Sequence, residues 1–295
     1  MCLSCDDNAH NLDFSVWQIG WRMVNNSWNE DYATAATQFD SLLRIQHADS
    51  LDVEFVITGL IAKHETRDTT GITSVFKSVR ESTLYELCNL PMYNIPSCQR
   101  IDNKGYNSVT HRELNMNVDT LLRKIYYIDQ LVRGNTSVLD DPDIDVNIKK
   151  DSIMQLSIRS TDEHNREKLK NIIENLGKYP TKDIVTEKAM RAVFLVVLHA
   201  DREPKWQAEQ LSIFDSLARS GDLDRSDYAY LYDRVMVNSG KPQLYGTQFK
   251  HVNAEEKLAV LHPVKDEENL DKRRMSMGLM PISLYKYLML KDSSP

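Results

Sequence analysis

The segment VFLVVLHADREPKWQ, residues 193–207, places ionisable side chains directly after a run of apolar residues. His199 comes one helical turn after Leu195, on a side of the predicted helix that should be buried. A buried imidazole needs a hydrogen-bond partner for each ring nitrogen, and Asp201 is close enough in the sequence to approach it. Gln207 falls near the first turn of the next predicted helix. Residues of these types can perform general acid–base catalysis or bind a polar ligand.

A second group of polar residues occurs in the segment DYAYLYDRVMVNSGKPQLYGTQF. Asp233 and Arg234 point about 100° apart on a helix. Apolar residues follow them directly, which predicts that they do not face only water. The next turn contains two glycines, and Gly246 permits a close approach of the backbone to a ligand or to a neighbouring element. The same turn supplies four side chains that we predict to bind a ligand: Gln243, Tyr245, Thr247 and Gln248.

One hypothesis makes these residues the active site of an enzyme. His199 is then the general acid or base, and Asp201 or Asp233 orients it. Arg234 holds an anionic group of the substrate, and a glutamine or tyrosine of the turn positions a reacting oxygen. A hydrolase or group transferase acting on a phosphorylated or carboxylated small molecule fits this set. His199, Asp201 and Asp233 are also possible ligands of a divalent metal ion, but their spacing is not characteristic, and we assign no metal ligand.

Two non-catalytic hypotheses use the same residues. In the first, they form a buried network that joins the helices, since paired buried charges are common and isolated ones are costly. Asp129 and Arg133 have the i, i+4 spacing of a helical ion pair, Asp201 caps the helix near Pro204, and Arg234 binds carbonyls of the YGTQ turn. In the second, the domain binds a ligand or a protein partner without catalysis. The sequence contains no recognisable nucleophile elbow and no glycine-rich phosphate loop, and it does not separate these hypotheses.

The elements that must position these residues are mainly helices. Apolar residues recur at helical intervals in nine segments: DYATAATQFDSLLRIQ, LDVEFVITGLIAKH, GITSVFKSVRESTLYEL, THRELNMNVDTLLRKIYYIDQLVRG, STDEHNREKLKNIIENLGKYP, TEKAMRAVFLVVLHA, EPKWQAEQLSIFDSLARSG, SDYAYLYDRVMVNSGKP and PISLYKYLML. Thr110 with Glu113 and Ser160 with Glu163 have capping-box spacing, and Thr186 is a predicted N-cap. LAVLHPV is a candidate short strand. We therefore predict a mainly α fold, a multi-helix domain with a small β element near the YGTQ turn.

The segment NLPMYNIPSCQRIDNKGYNS, residues 89–108, has two prolines, several asparagines and a glycine, which is typical of a loop. We predict that it separates a helical N-terminal region, residues 1–108, from a second domain, residues 109–295. LDVEFVITGLIAKH resembles a helix of a tetratricopeptide-type repeat, but no period of about 34 residues recurs clearly. A repeat-like array and a small helical subdomain both remain open for the N-terminal region.

Several motifs of the second domain carry a resemblance to a known family. They are HAD, a glutamine six residues after that aspartate, and AYLYDRVMVNSGKPQLYGTQF. Together they look like the signature of an uncharacterised bacterial family, domain of unknown function 6624. Upstream, IYYIDQLVRG resembles the family's D-Q-x-x-R element, which adds Asp129, Gln130 and Arg133 to the predicted ligand-binding residues.

Downstream, LHPVKDEENLDKRRMSMGLMPISLYKYL is similar to the family's P-I-x-D-P-x-x-V-x-x-R-R-x-x-x-G-L-x-P segment. Glu268 departs from this pattern, in which proline is usual. The resemblance covers roughly residues 112–290 and implies no activity, so the cofactor also stays unknown. The downstream residues that correspond to the pattern are Pro263, Asp266, Asn269, Arg273, Arg274 and Gly278.

Composition limits the classes of partner. The net charge of −7 disfavours nucleic acid as the main partner. No apolar run approaches the roughly 20 residues of a membrane-spanning helix. We therefore predict a helical domain whose His/Asp/Arg/Gln pocket binds a small anionic ligand, with a protein partner as the alternative.

The four cysteines allow a further hypothesis about localisation. Cys2 and Cys5 have C-x-x-C spacing, but Cys88 and Cys98 are not a second such pair, so we do not predict a zinc site. If Met1 were internal to a longer precursor, LSC would resemble the end of a bacterial lipoprotein signal. Cys5 would then be the lipidated residue of a cell-envelope protein, and the alternative is a cytoplasmic protein.

Overall fold

The structure is a computed structural model that describes residues 13–79, 114–141 and 156–292. These residues form a mainly α fold with a two-stranded antiparallel sheet, which confirms the predicted fold class. The chain divides into two compact units, each with its own apolar core. The first unit contains residues 1–111 and 274–288, and the second contains residues 112–273 and 289–295.

The first unit contains four described helices before its gap. Aspartates cap the first three of them, because the side chains of Asp13, Asp31 and Asp52 each accept a backbone N–H bond at a helix start. The segments DYATAATQFDSLLRIQ and LDVEFVITGLIAKH are helical, as predicted. The bounds are α1, Phe14–Trp28; α2, Tyr32–Ile45; α3, Val53–Glu65; and α4, Ile72–Ser78.

Two glycines allow α3 to pack closely against α1 and α2. A Cβ atom at Gly20 on α1 would lie 2.2 Å from the ring of Phe55 on α3. A Cβ atom at Gly59 on α3 would lie 2.2 Å from the ring of Phe39 on α2. Carbon atoms make favourable contact at roughly 3.5–4.0 Å, so the two rings occupy the space that a side chain would need.

The second unit is organised around the helix α7. Its bounds and those of its helical neighbours are α5, Met116–Val132; α6, Ile158–Leu176; α7, Glu187–Leu198; α8, Pro204–Glu209; α9, Leu211–Ser220; and α10, Arg225–Asn238. Helix α7 packs against α5, α6 and α10. Every residue from Ala192 to Val197 is buried, which confirms the predicted central helix. The predicted N-cap is also confirmed, because the Thr186 hydroxyl accepts the Ala189 N–H at 3.3 Å.

Two local predictions in the second unit are wrong. Helix α6 begins before the predicted capping box, because Ser157 is the N-cap and accepts the N–H of Ser160 at 3.4 Å. The segment EPKWQAEQLSIFDSLARSG forms two helices, and they meet at Gln210. The Gln210 side chain donates to the Trp206 carbonyl at 2.7 Å and accepts from the Tyr179 hydroxyl at 2.7 Å, which anchors the break. The predicted box at residues 110 and 113 lies outside the described residues.

The small β element directly follows the YGTQ turn, as predicted. Strand β1, Phe249–Asn253, pairs antiparallel with β2, Leu258–Leu261, and an irregularity in register follows Phe249. Two helices come after the hairpin, α11 at Leu270–Ser276 and α12 at Ile282–Asp292. Among the described residues, no helix has the length and apolar character needed to cross a membrane.

Candidate functional site

His199 lies at the C-terminal end of α7 and contacts a carboxylate of α5. Its Nδ1 atom is 2.9 Å from Oδ1 of Asp129. The His199 side chain is 17% exposed, whereas that of Asp129 is 2% exposed. A carboxylate on Nδ1 fixes the orientation of an imidazole and stabilises its charged form. The sequence predicted Asp201 or Asp233 for this position, and the structure places Asp129 there instead.

Asp129 contacts two other side chains of its own helix, and one of these bonds to the turn that follows. Its Oδ1 atom is 2.9 Å from Nη1 of Arg133, and its Oδ2 atom accepts from Nε2 of Gln130 at 3.0 Å. Oε1 of Gln130 in turn accepts from Nδ2 of Asn135 at 2.9 Å. The side chains of the D-Q-x-x-R element therefore meet at Asp129, which in turn contacts His199.

A third helix contributes Asp162, which the sequence analysis did not single out. Nη2 of Arg133 lies 2.6 Å from Oδ1 of Asp162, so this guanidinium bridges two carboxylates. Burial raises the pKa of Asp162, while Arg133 and His199 act in the opposite direction. One possible ligand atom from each of Asp129, Asp162 and His199 lies within 4.8 Å of the others, so this group is a candidate metal site.

A pattern in α6 could have identified Asp162. The apolar stripe of this helix continues towards its N-terminus at positions three and four residues apart, but the residues there are polar. Thr161, Asn165 and Arg166 are buried at these positions, before Leu169. Asp162 lies three residues before Asn165 and four before Arg166, on the face that these residues share. A polar extension of a buried stripe indicates a buried polar site.

Arg234 and Asp201 form a second polar pair beside the His199 cluster. Nε of Arg234 lies 3.7 Å from Oδ1 of Asp201, and it has no hydrogen-bond partner among the described residues although it is buried. Nδ2 of Asn238 donates to the same Asp201 oxygen at 2.9 Å. Asp201 thus bonds to α10, and it is not the residue that holds Nδ1 of His199.

Gln207 supports the end of α7. Its side chain is fully buried, and Nε2 donates to the carbonyls of Val197 and Leu198, each at 3.0 Å. These are carbonyls that the last turn of a helix leaves without an internal partner. Oε1 of Gln207 accepts from Asn238 at 3.2 Å. Gln207 therefore fixes the helix end that carries His199.

Asp233 builds the YGTQ turn. Its fully buried carboxylate accepts the N–H of Leu244 at 2.7 Å, of Tyr245 at 3.0 Å and of Thr247 at 2.9 Å. The Thr247 hydroxyl adds a fourth bond at 3.0 Å. Burial raises the pKa of Asp233, and these hydrogen bonds act in the opposite direction. Among the described residues, Asp233 does not join His199 and Asp201 in a metal-like group.

Gln243 completes this turn from the inside. Its amide donates to the carbonyls of Gln248 and His262, each at 2.9 Å, and accepts the N–H of Gln248 at 2.9 Å. Nε2 of Gln248 donates to the Thr247 hydroxyl at 3.0 Å. The ring of Tyr245 contacts Tyr232 on α10, and burial raises the pKa of Tyr245. These described contacts form the turn itself and attach it to α10.

Arginines of the downstream motif also bond to backbone carbonyls. Nε of Arg273 donates to the Leu244 carbonyl at 2.8 Å, so Arg273 takes the place that one hypothesis gave to Arg234. In the first unit, Arg274 is fully buried and donates to the Met280 carbonyl at 2.7 Å. Both contacts have the geometry of structural hydrogen bonds.

One surface pocket lies away from these residues. It is at the N-terminal end of α7, whereas His199 ends the same helix about 18 Å further along. Its lining includes the ion pair of Arg191 with Asp227, and none of the predicted site residues.

Comparison with known proteins adds a family but no activity. No curated protein and no solved structure matches the chain. The model of a family of unknown function, DUF6624, matches residues 136–294, just over half of the 295 residues. The match includes His199 and the YGTQ turn, and it begins after the D-Q-x-x-R element of α5. The chain therefore belongs to DUF6624, a family of unknown function.

Proposed function

We propose that the second unit binds a small anionic ligand beside His199 and that His199 acts on it as a general acid or base. The observation that carries this proposal is the contact of 2.9 Å between Nδ1 of His199 and the buried carboxylate of Asp129. If Nδ1–H donates this hydrogen bond to Asp129, the neutral imidazole has its lone pair on Nε2. Proton uptake at Nε2 then produces an imidazolium that Asp129 stabilises.

Arg234 is the residue best suited to hold the anionic group. Its buried Nε lacks a hydrogen-bond partner among the described residues, and Asp201 lies beyond hydrogen-bond distance at 3.7 Å. A carboxylate or phosphate would accept from this guanidinium with a charge-assisted bond. Arg133 is less suited, because its guanidinium already forms ion pairs with two carboxylates. Its Nη1 atom is 2.9 Å from Oδ1 of Asp129, and its Nη2 atom is 2.6 Å from Oδ1 of Asp162. We assign it, with Asp129 and Gln130, to the orientation of His199.

A divalent metal ion is a second candidate ligand, favoured by the spacing of Asp129, Asp162 and His199. Two carboxylates and an imidazole are suitable ligands for several divalent ions. However, the positive charge of Arg133 already lies between the two carboxylates and opposes a second cation there. We therefore rank the metal below acid–base chemistry and include it in the test.

The test is thermal unfolding of the wild-type chain, His199→Gln and Arg234→Gln with a panel of phosphomonoesters, carboxylates and divalent metal ions. At 100 times its Kd, a ligand adds about 2.7 kcal/mol of stability, which is a rise in Tm of about 5 °C or more. We expect an anionic compound to stabilise wild type and to lose this effect in Arg234→Gln. His199→Gln should keep binding and lose turnover of that compound.

The matched control is Arg219→Gln, since Arg219 forms an ordinary exposed ion pair with Asp215 on α9. This variant should respond to ligand as wild type does. Stabilisation by a metal ion alone, abolished in Asp162→Asn, would favour the metal candidate instead. If no compound stabilises wild type and both site variants melt several degrees lower, the residues form a structural network and the proposal is wrong.

A further inference from the structure

Asn165 is a buried amide whose two polar atoms lack hydrogen-bond partners among the described residues. It lies on α6 and is 2% exposed, and both Oδ1 and Nδ2 are buried. Buried side-chain amides in folded proteins nearly always form hydrogen bonds, because a lost bond to water must be replaced. An amide with neither atom bonded therefore points to a partner outside the protein chain.

Asn165 lies on the part of α6 that faces the His199 segment. Asp162, three residues earlier, belongs to the group within 4.8 Å that includes His199. Arg166, the next residue, has its Nη2 atom 3.8 Å from Oε1 of Glu203. Residues three and four apart on a helix share one face. Asn165 therefore lies between Asp162, which is grouped with His199, and Arg166, which contacts Glu203.

Other buried polar atoms near this stretch also lack hydrogen bonds. Among the described residues, six such side-chain atoms occur, and four of them belong to Asn165, Arg166 and Arg234. In both arginines the atom is Nε, and the ion-pair partners of each lie at 3.6 Å or more. A folded protein usually contains few buried polar atoms without hydrogen bonds, so four of them near one stretch of chain are unusual.

We propose that Asn165 recognises a ligand group that presents a hydrogen-bond donor beside an acceptor, as an amide or a nucleobase edge does. Nδ2 of Asn165 donates to the acceptor, and Oδ1 accepts from the donor. Nε of Arg166 donates to a second acceptor of the ligand. The ligand is thus a small molecule with an anionic group and an amide-like group. This inference rests on the proposed function, in which the anionic group binds to Arg234.

The test uses two pairs of probes that differ only in the amide-like part. Adenosine 5′-monophosphate is compared with ribose 5-phosphate, and N-acetylglycine with pentanoate, by calorimetric titration of the full chain. We expect wild type to bind the amide-bearing member of one pair at least tenfold more tightly. The pair that shows this preference identifies the source of the group, a nucleobase or a carboxylic acid amide.

Asn165→Leu tests the residue itself, because leucine has a similar size and removes both unbonded polar atoms. We expect its Tm to be equal to or higher than that of wild type, while the tenfold preference is lost and the anion-only probe still binds. Asn171→Leu, at an exposed position of α6, is the control and should keep the preference. Asn165→Ala replaces Asn165→Leu if the latter does not fold.

The outcomes separate this inference from the proposed function. If wild type binds the anion-only probes without a preference for amide-bearing ones, this inference is wrong and the proposed function stands. If wild type binds none of the four probes, this inference is wrong, and the thermal-unfolding panel decides the proposed function separately. A Tm several degrees lower in both Asn165 variants, with the preference unchanged, would show that Asn165 has a structural role.

Discussion

Asp129 and Asp233 are both buried carboxylates, but their partners give them different tasks. Asp129 contacts two side chains that carry or accept a proton, His199 and Arg133. Asp233 contacts backbone N–H groups and a hydroxyl, which do not titrate in the physiological range. The Asp129 carboxylate therefore orients two side chains, whereas Asp233 fixes a backbone conformation.

Replacing Asp233 tests this structural task. In Asp233→Asn, the amide NH2 can take the place of one carboxylate oxygen and then faces backbone donors that need an acceptor. We expect a loss of about 3 kcal/mol in the free energy of unfolding, since hydrogen bonds to charged groups contribute about 1.5–3 kcal/mol each. Urea denaturation followed by circular dichroism measures it.

The matched control for Asp233→Asn is Asp215→Asn, which removes an i, i+4 ion pair at the surface of α9. Such pairs contribute about 0.5 kcal/mol or less. If Asp233→Asn were as mild as this control, the YGTQ turn would have to be held by Gln243 and Arg273 alone.

The sequence located the reactive residue types but not all of their partners. His199 and Arg234 were identified because each interrupts or borders an apolar helical run. Asp129 is 70 residues before His199, and Asp162 is 37 residues before it, so no local pattern could pair them with it. Such pairings depend on how α5, α6 and α7 pack, which is a tertiary property.

At the scale of elements, a buried lysine joins three segments of the first unit. Nζ of Lys63 on α3 is 2.8 Å from Asp40 on α2 and 2.7 Å from Asp68 in the turn after α3. Burial lowers the pKa of Lys63, but its bonds to both aspartates outweigh burial and raise it overall. The bond to Lys63 lowers the pKa of Asp68 below its value of 3.8.

These shifts predict how acid affects the first unit. A carboxyl group with a lowered pKa stabilises the fold above the unfolded value of 3.8, and that stability is lost as the pH falls through the folded pKa. The raised pKa of Lys63 acts at the other end, since its contribution is lost only as the pH rises above 10.5. We therefore expect Asp68→Asn to lower Tm at pH 7 and to have a smaller effect at about pH 3.

Thermal unfolding of wild type and Asp68→Asn at both pH values measures this difference. Asp49→Asn is the control, because Asp49 and its partner His47 are both exposed, and its Tm should match wild type at both pH values. An equal loss of Tm at both pH values in Asp68→Asn would mean that the charge of Asp68 is not what stabilises the turn.

Helices with regular apolar stripes and clear caps were predicted, and α1 was not. Its buried residues have helical spacing, but Gly20 and the pair Asn25 and Asn26 are poor helix formers that weaken the local preference. The ring of Phe55 fills the space beside Gly20, so tertiary packing stabilises a helix that local propensity does not favour. The break at Gln210 has a similar cause, because distant Tyr179 bonds to its side chain.

At the scale of the whole molecule, the family match and the compact units have different limits. The match covers residues 136–294, whereas the second unit begins at residue 112 and the first unit takes residues 274–288. Helix α5 thus lies outside the match but inside the core of the second unit. Leu122 and Ile125 on this helix are at most 1% exposed there.

A fragment of residues 136–294 should therefore not fold cooperatively. It lacks Leu122, Ile125 and the rest of α5, and removing one buried leucine or isoleucine side chain alone costs about 2–5 kcal/mol. The loss of two such side chains is comparable to the entire stability of a typical domain, about 5–15 kcal/mol. Circular dichroism with heating should show no cooperative transition for this fragment.

Extending the fragment to residues 112–295 restores α5, and with it both the core side chains and the Asp129 partner of His199. We expect this longer fragment to unfold cooperatively and to regain the ligand response of the full chain. The comparison isolates α5, because the two fragments share all matched residues and differ mainly in that helix and the turn after it. A cooperative transition in residues 136–294 with an unchanged ligand response would mean that neither the core nor the site requires α5. Asp129 would then not be the residue that orients His199.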